Sequence, residues 1–286
     1  MTIAIALTVG DAVILGTDSA TTFSSVEGGV ANVFFNAEKL MNLAYGTPLA
    51  LATYGHGSIQ GRSIIRLARD FRERLSNPSS PSALDHDNYT VEQIARQVRD
   101  FFYGEHYFPE HTTNPHSNAL GLIIAGYSAR STKPEVWHVF MQGNACPLPQ
   151  CVIAAGVSSA VWYGMGEALT RLLLGYTDEA VARLVSAGVP EPDARSALQE
   201  TAPLISEGMP MQDAVDLVKY WADVVVGYVR FAPGAPSVAP PIDLATITVH
   251  EGFRWVARKH YFSAELNPDT IHTKPPMLRP TPKGTS

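Results

Sequence analysis

From its third residue the chain alternates with a period of two: Ile3, Ile5, Leu7 and Val9 are interleaved with Ala4, Ala6 and Thr8. Successive side chains of a β-strand point to opposite faces, so this is a strand pattern. Gly10-Asp11 supplies a two-residue turn, and Val13, Ile14 and Leu15 resume the apolar run. The sequence therefore predicts a β-hairpin that opens almost at the terminus. Such a hairpin returns Thr17-Asp18 to the start of the first strand and brings the Asp18 carboxylate close to Thr2. A third strand starting near Lys39-Leu40 can deliver an ammonium to the same end.

If Met1 is removed, Thr2 carries a hydroxyl and a free α-amine on one residue. The hydroxyl is too weakly acidic to attack an amide unaided, but an amine with a pKa of about 7.7 to 8.0 is a usable proton acceptor near neutrality. Asp18 would orient Lys39, and the Lys39 charge would depress the pKa of both the hydroxyl and the amine.

On these residues the chain resembles the proteasome β-subunit family and its bacterial relatives, members of the N-terminal nucleophile hydrolases. The family pattern is a threonine opening a strand, a hairpin, a small-small-Asp-x-x-x-Thr signature and a Lys-Leu pair. Here these read Thr2, Gly16-Thr17-Asp18-Ser19-Ala20-Thr21-Thr22 and Lys39-Leu40. The resemblance implies Thr2, Asp18 and Lys39 as catalytic residues. Leu49 to Gly55 resembles the strand ending in a glycine whose N–H helps form the oxyanion hole, a role carried to Gly55, with Thr53 and Gly57 as rival registers. Thr22, with Thr21 beside it, matches the position that aligns a substrate peptide as an added strand.

Two further segments resemble the family with departures. Ala154 to Ser159, read as leading into an apolar helix to Leu174, resembles the Gly and Ser segment that opens the third helix and supports the nucleophile. Val157 stands at the aligned serine, which leaves the supporting role to Ser158 or Ser159. Ile242-Asp243-Leu244 resembles the family's late Ile-Asp strand, but the upstream aspartate and serine are replaced by Ala232-Pro233-Gly234-Ala235-Pro236-Ser237. No acidic residue is available there.

The rest of the chain sets the architecture. Ser58 to Leu75 reads as an amphipathic helix, and Thr90-Val91-Glu92-Gln93 is a capping box leading into a second helix through Ile94, Val98, Phe101 and Phe102. Ala119 to Tyr127 and Glu135 to Phe140 read as strands. Tyr176 to Glu207 reads as extra helical material, with Ala180, Leu184 and Val185 on one face and a break at Gly188-Val189-Pro190. Met211 to Val229 is a further helix with a core-facing stripe. The order suits an α+β fold, a four-layer αββα sandwich of the N-terminal nucleophile hydrolase type. It is expected as a single domain over 1–266, with a loosely held Pro-, Thr- and Lys-rich tail over 267–286.

Composition removes several function classes. A net charge of −6 across 286 residues leaves no basic stripe for nucleic acid or a membrane surface. No apolar run is long enough to cross a bilayer, and the opening residues lack a basic leader, so a cytoplasmic location is expected. Cys146 and Cys151 read as ordinary thiols. The cluster Glu105, His106, Glu110, His111 and His116 reads as a surface loop because of Pro109 and Pro115, so no metal is expected. Gly55-x-Gly57-x-x-x-Gly61 lacks the Lys-Ser/Thr of a phosphate loop, and no cofactor is expected.

The resemblance implies a threonine peptidase that cleaves polypeptides through an acyl-enzyme on Thr2, within a homo-oligomeric ring or spiral that hides the nucleophiles and can take an ATP-dependent unfoldase as partner. Two other readings stay open. One is a ring or scaffold subunit that kept the fold and lost the chemistry. The other is an amidohydrolase that uses the same Thr2 on a small amide.

Overall fold

The computed structural model describes residues 2–24, 30–113 and 118–259. The predicted hairpin is present as β1 (Ile3–Val9) and β2 (Ala12–Thr17), joined at Gly10-Asp11. Next come β3 (Thr21–Ser24), β4 (Val30–Phe34), β5 (Leu40–Asn42), β6 (Leu49–Gly55), β7 (Ser58–Ile59), β8 (Arg62–Ser63), α1 (Ile64–Ser76) and α2 (Val91–Arg99). A π-helical stretch, Asp100–Tyr107, runs into α3 (Phe108–Thr113). The chain continues through β9 (Leu120–Tyr127), β10 (Pro134–Met141), β11 (Gln150–Ile153), β12 (Ser159–Gly164), α4 (Glu167–Leu174), α5 (Asp178–Ser186), α6 (Glu191–Leu198) and α7 (Met211–Phe231). It closes with β13 (Asp243–Thr248) and β14 (Gly252–Ala257).

Two five-stranded antiparallel sheets organise these elements. Sheet one runs β12-β1-β2-β13-β14 and sheet two runs β11-β10-β9-β6-β5. The alternation in β1 is one of size rather than polarity, because every residue of the strand is buried. Ile3, Ile5 and Leu7 pack with Leu169 of α4 and with Val218, Trp221 and Val225 of α7. Ala4 and Ala6 face the other way, into a layer shared with Ala50 and Ala52 of β6 and Ile123 and Ala125 of β9. On sheet two the pattern repeats: Leu49, Leu51, Leu122 and Ile124 point away from sheet one, toward Leu67 and Phe71 of α1 and Ile94 and Val98 of α2. Each central strand thus contributes to two cores, and on β1 and β6 the large side chains go to the helical side. Burying a Leu, Ile or Val contributes about 1.5 to 3 kcal/mol, so the alternation fixes register strongly.

The capping box is formed as the sequence predicts, with Thr90 Oγ1 accepting from Gln93 N–H and the Gln93 side chain accepting from Thr90 N–H. Elsewhere the structure corrects the reading. The helix expected from Ser58 starts only at Ile64, capped by Ser63, because a tight turn at Gln60-Gly61 pairs β7 with β8. The segment of Glu105, His106, Glu110 and His111 is helical rather than loop: the π-helical stretch continues into α3, which contains Pro109. Pro115 and His116 lie outside the described residues. Of the apolar helix expected to reach Leu174, Glu167–Leu174 forms α4, whereas Ser159–Gly164 is strand β12, consistent with its Val161, Trp162 and Tyr163. The break at Gly188–Pro190 separates α5 from α6, but on α5 Val181 is the buried residue and Val185 is exposed. The expected 267–286 tail lies outside the described residues.

Between the sheets, Tyr54, His138 and Tyr163 form a stack. The Tyr54 hydroxyl is 2.7 Å from His138 Nε2, and the His138 and Tyr163 rings stack at 4.2 Å. Burial lowers the His138 imidazole pKa to about 4 and raises the Tyr54 phenol above its ordinary range. An unfolded chain takes up a proton on histidine near 6.5, so between pH 6.5 and about 4 the unfolded state holds more protons than the folded state. Stability from this group is complete above pH 6.5 and is lost as pH falls to about 4, on the order of 3 kcal/mol in full. Urea midpoints measured across that window should fall with acid. They should fall less steeply in His138→Gln, which keeps an acceptor for Tyr54 without titrating; parallel curves would show that His138 is not the group responsible.

Candidate active site

Thr2 is fixed by the ladder on both sides of β1. Met165 N–H donates to Thr2 O at 2.8 Å, Ile3 sits opposite Gly164, and Ile3 N–H donates to Asp18 Oδ1 at 3.1 Å. Gly164 has φ +93°, and a Cβ there would stand 1.9 Å from Thr2 O, so only glycine permits this approach. The hairpin returns Asp18 to the same end, as the alternation and turn dictate. Lys39, immediately before β5, comes from sheet two.

The three side chains predicted from the sequence meet. Lys39 Nζ donates to Thr2 Oγ1 at 2.8 Å, to Asp18 Oδ1 at 2.7 Å, and to Ala20 O. An ammonium has three donors, and all are used. Asp18 also accepts from Ala20 N–H at 2.9 Å and from Ala239 N–H at 3.3 Å. Thr2 is 4%, Asp18 0% and Lys39 6% exposed. Burial lowers the Lys39 pKa below the ordinary lysine range, and the adjacent Asp18 charge opposes that fall. Because Thr2 Oγ1 accepts from Lys39, its own proton remains available to a base, and the ammonium is placed to stabilise an alkoxide.

Gly55 ends β6 at φ +89°, on sheet two, with β9 so close that a Cβ would lie 2.3 Å from Ala119 O. Of the rival registers, Thr53 N–H already donates to Lys39 O at 2.8 Å. Gly57 abuts the Thr21 hydroxyl, 3.1 Å from where a Cβ would stand. Thr21 and Thr22 open β3, half-buried, so the loop 55–57 and the start of β3 lie side by side.

Ser158 is not part of this cluster, and its assignment is corrected. β12 runs antiparallel to β1 with Ser159 opposite Thr8, which puts Ser158 at the far end of the strand, roughly 20 Å from Thr2. Val157 is there too, its carbonyl accepting from Thr8 Oγ1 at 2.7 Å. The turn that does abut Thr2 is Gly164-Met165-Gly166. Sequence reasoning also missed the Met165 and Ala239 backbone donors, because a backbone N–H leaves no signature in residue type.

A cavity of about 600 Å³, lined by residues including Glu38, Tyr45, Arg69, Arg72, Trp255 and Arg258, includes neither Thr2 nor Asp18 nor Lys39. Cys146 and Cys151 are free thiols. Among the described residues no group of three or more His, Cys, Asp or Glu could hold a metal ion, and no helix is long and apolar enough to cross a membrane.

No protein-family model matches the chain, and no curated protein matches it. Solved structures do match. The helical assembly of the Anbu complex from Pseudomonas aeruginosa aligns with a TM-score of 0.53 at 12% identity, over 93% of this chain and 89% of that one. An Anbu (Gly-1) mutant from Hyphomicrobium sp. strain MC1 aligns with a TM-score of 0.50 at 15% identity, over 91% and 86%. At such identities the likeness is one of fold. The resemblance to proteasome β-subunits read from the sequence is corrected accordingly: no family model or curated relative carries it, and these two structures that share the fold are Anbu proteins.

The buried pair has a stability consequence. Lys39→Met leaves the Asp18 carboxylate without its counter-charge, and the expected loss is about 3 to 5 kcal/mol. Lys39→Met with Asp18→Asn should recover part of it, because the amide oxygen still accepts from Ala20 and Ala239 N–H while the amide nitrogen faces Ile3 N–H. Urea unfolding of both variants checks this; a loss below about 1 kcal/mol in the single variant would mean that the pair behaves like an exposed one.

Proposed function

We propose that the chain is an N-terminal threonine hydrolase that cleaves peptide bonds. The observation that carries this reading is the continuous chain Thr2 Oγ1, Lys39 Nζ, Asp18 Oδ1, at 2.8 and 2.7 Å, buried between two sheets. A buried ion pair is costly relative to apolar packing, and one that ends on a hydroxyl is a candidate functional site. With Met1 removed, Thr2 Oγ attacks the carbonyl, and the Thr2 amine accepts the hydroxyl proton through a water and delivers it to the leaving amine. Lys39 and Asp18 poise the nucleophile, Gly55 N–H stabilises the oxyanion, and Thr21 and Thr22 align the peptide as an added strand. Water then releases the acyl group from Thr2. The same reading takes the three cores as one four-layer αββα sandwich and a single domain extending to residue 266, whose last seven positions lie outside the described residues.

The 4% exposure of Thr2 favours a second reading, an amidohydrolase for a small amide, which needs less open space than a polypeptide strand. The two share the nucleophile and differ in the substrate length they turn over.

We further propose a homo-oligomer that shelters the threonines. The arginines on the outer faces of α1 and α2 are poorly placed for this, since Arg69 pairs with Glu38, Arg96 with Glu92, and Arg99 with Cys146 O. The outer face of α7 suits it better: Tyr220, Tyr228 and Phe231 are 51%, 38% and 82% exposed and recur at helical spacing. One solved structure of the same fold is a helical assembly.

Intact mass should show Met1 absent, and Thr2→Ala, which removes the hydroxyl together with one methyl group at a packed position, should abolish hydrolysis of fluorogenic peptides while leaving the thermal midpoint within a few degrees. Retained methionine on all molecules, or normal turnover by Thr2→Ala, would sink the assignment. Light scattering of the wild type should give several times the monomer mass, and Tyr220→Glu with Phe231→Glu should reduce it; a wild-type particle of about 31 kDa would favour the small-amide reading.

A further inference from the structure

A second lysine–carboxylate pair is buried beside the first. Asp243 opens β13 opposite Thr17 and is 1% exposed; Lys259, just past β14, is 8% exposed. Lys259 N–H donates to Asp243 Oδ1 at 3.0 Å, and its ammonium pairs with Asp243 Oδ2 and donates to Ser19 Oγ at 2.8 Å. The Ser19 hydroxyl donates in turn to Pro241 O. Ser19 N–H donates to Ala239 O at 3.1 Å, and Ala239 N–H donates to Asp18 Oδ2 at 3.3 Å.

These bonds close a loop. Asp18 and Ser19 are consecutive, and the segment Ala239 to Pro241 is gripped by both: one end by Asp18 and the Ser19 backbone, the other by the Ser19 hydroxyl. Lys259 holds that hydroxyl in place, and Asp243 holds Lys259. Apolar residues of similar volume would satisfy the same space at lower cost than two desolvated charges, so packing alone does not account for the pair. It also lies next to the stretch, Ala232 to Ser237, where the sequence offers no acidic residue to support Thr2.

We propose that Lys259 and Asp243 are positioning residues for Thr2, locking Ser19 and the 239–241 segment so that Asp18 keeps Lys39 on the threonine hydroxyl, and adding the Lys259 charge to the field around that hydroxyl and amine. This rests on the threonine-hydrolase reading. The charged groups acting on Lys39 are Asp18, Lys259 and Asp243; Lys259 lowers its pKa and Asp243 raises it, with the Lys259 effect the larger of the two. Loss of the Lys259 charge therefore raises the pKa of cationic acids nearby, the Thr2 amine included.

The test is acylation of the Met1-free protein by a β-lactone, in which Thr2 Oγ bonds to the ring carbonyl carbon, the acyl C–O bond opens, and the threonine proton ends on the released alkoxide. Labelling rate is followed against pH by intact mass, with the site mapped by fragmentation and Thr2→Ala as control against reaction at exposed Cys151. Lys259→Met should lower the maximal rate roughly ten- to a hundredfold and move the acid limb up by roughly half a unit to one unit. Lys259→Met with Asp243→Asn, which leaves no unpaired charge, guards against a folding failure and should also show the lowered rate. A wild type that takes no label on Thr2 overturns the hydrolase reading and this inference together. A labelled wild type whose rate and pH profile superimpose on those of the folded double variant overturns this inference alone.

Discussion

One buried ammonium joins the two sheets where it matters. Lys39 enters from the edge of sheet two and ends on Thr2 and Asp18 of sheet one, so the inter-sheet layer, otherwise largely apolar, contains a charged contact at the start of β1. Removing water from an ammonium costs several kcal/mol, and that cost is offset only if each N–H finds an acceptor. Three acceptors are present, and each comes from a backbone segment held by sheet pairing or by the turn after β2. The geometry around Thr2 thus follows from strand register rather than from loop placement.

Register was readable because β1 and β2 obey a period of two around a two-residue turn, and because Asp18 and Lys39 lie next to strands whose apolar runs are unambiguous. What could not be read was the identity of elements with mixed signals. The Ser58 to Ser63 stretch carries helical spacing, but a tight turn at Gln60-Gly61 makes it a small hairpin. Residues 159 to 164 are apolar enough for helix or strand, and tertiary pairing with β1 decided for strand. Misreading that one element displaced the supporting role onto Ser158, at the wrong end of β1. The size alternation of β1, large toward helices and small toward the second sheet, was visible as letters but acquires its meaning only when a second sheet is known to be there.

The remaining parts of the site are of two kinds. Met165 N–H and Ala239 N–H are backbone groups, which no composition reports. Lys259 is an isolated lysine more than two hundred residues from Ser19, its partner, and nothing local distinguishes it from a surface lysine. Asp243 did carry a signal, since an acidic residue beginning an apolar strand is unusual unless it is paired, but the partner had to be seen.

Asp18 accepts from Ala239, and β2 is paired on its free side by β13. In a chain made from its N-terminus onward, Thr2, Lys39 and the Ile3 and Ala20 donors to Asp18 come early, yet the Ala239 donor and the β13 strand that pairs with β2 emerge only after about four fifths of the polypeptide has left the ribosome. Closure of sheet one by β13 is therefore the step that completes the hydrogen bonding of Asp18. The Thr2, Asp18 and Lys39 arrangement is thus completed late in the synthesis of its own chain.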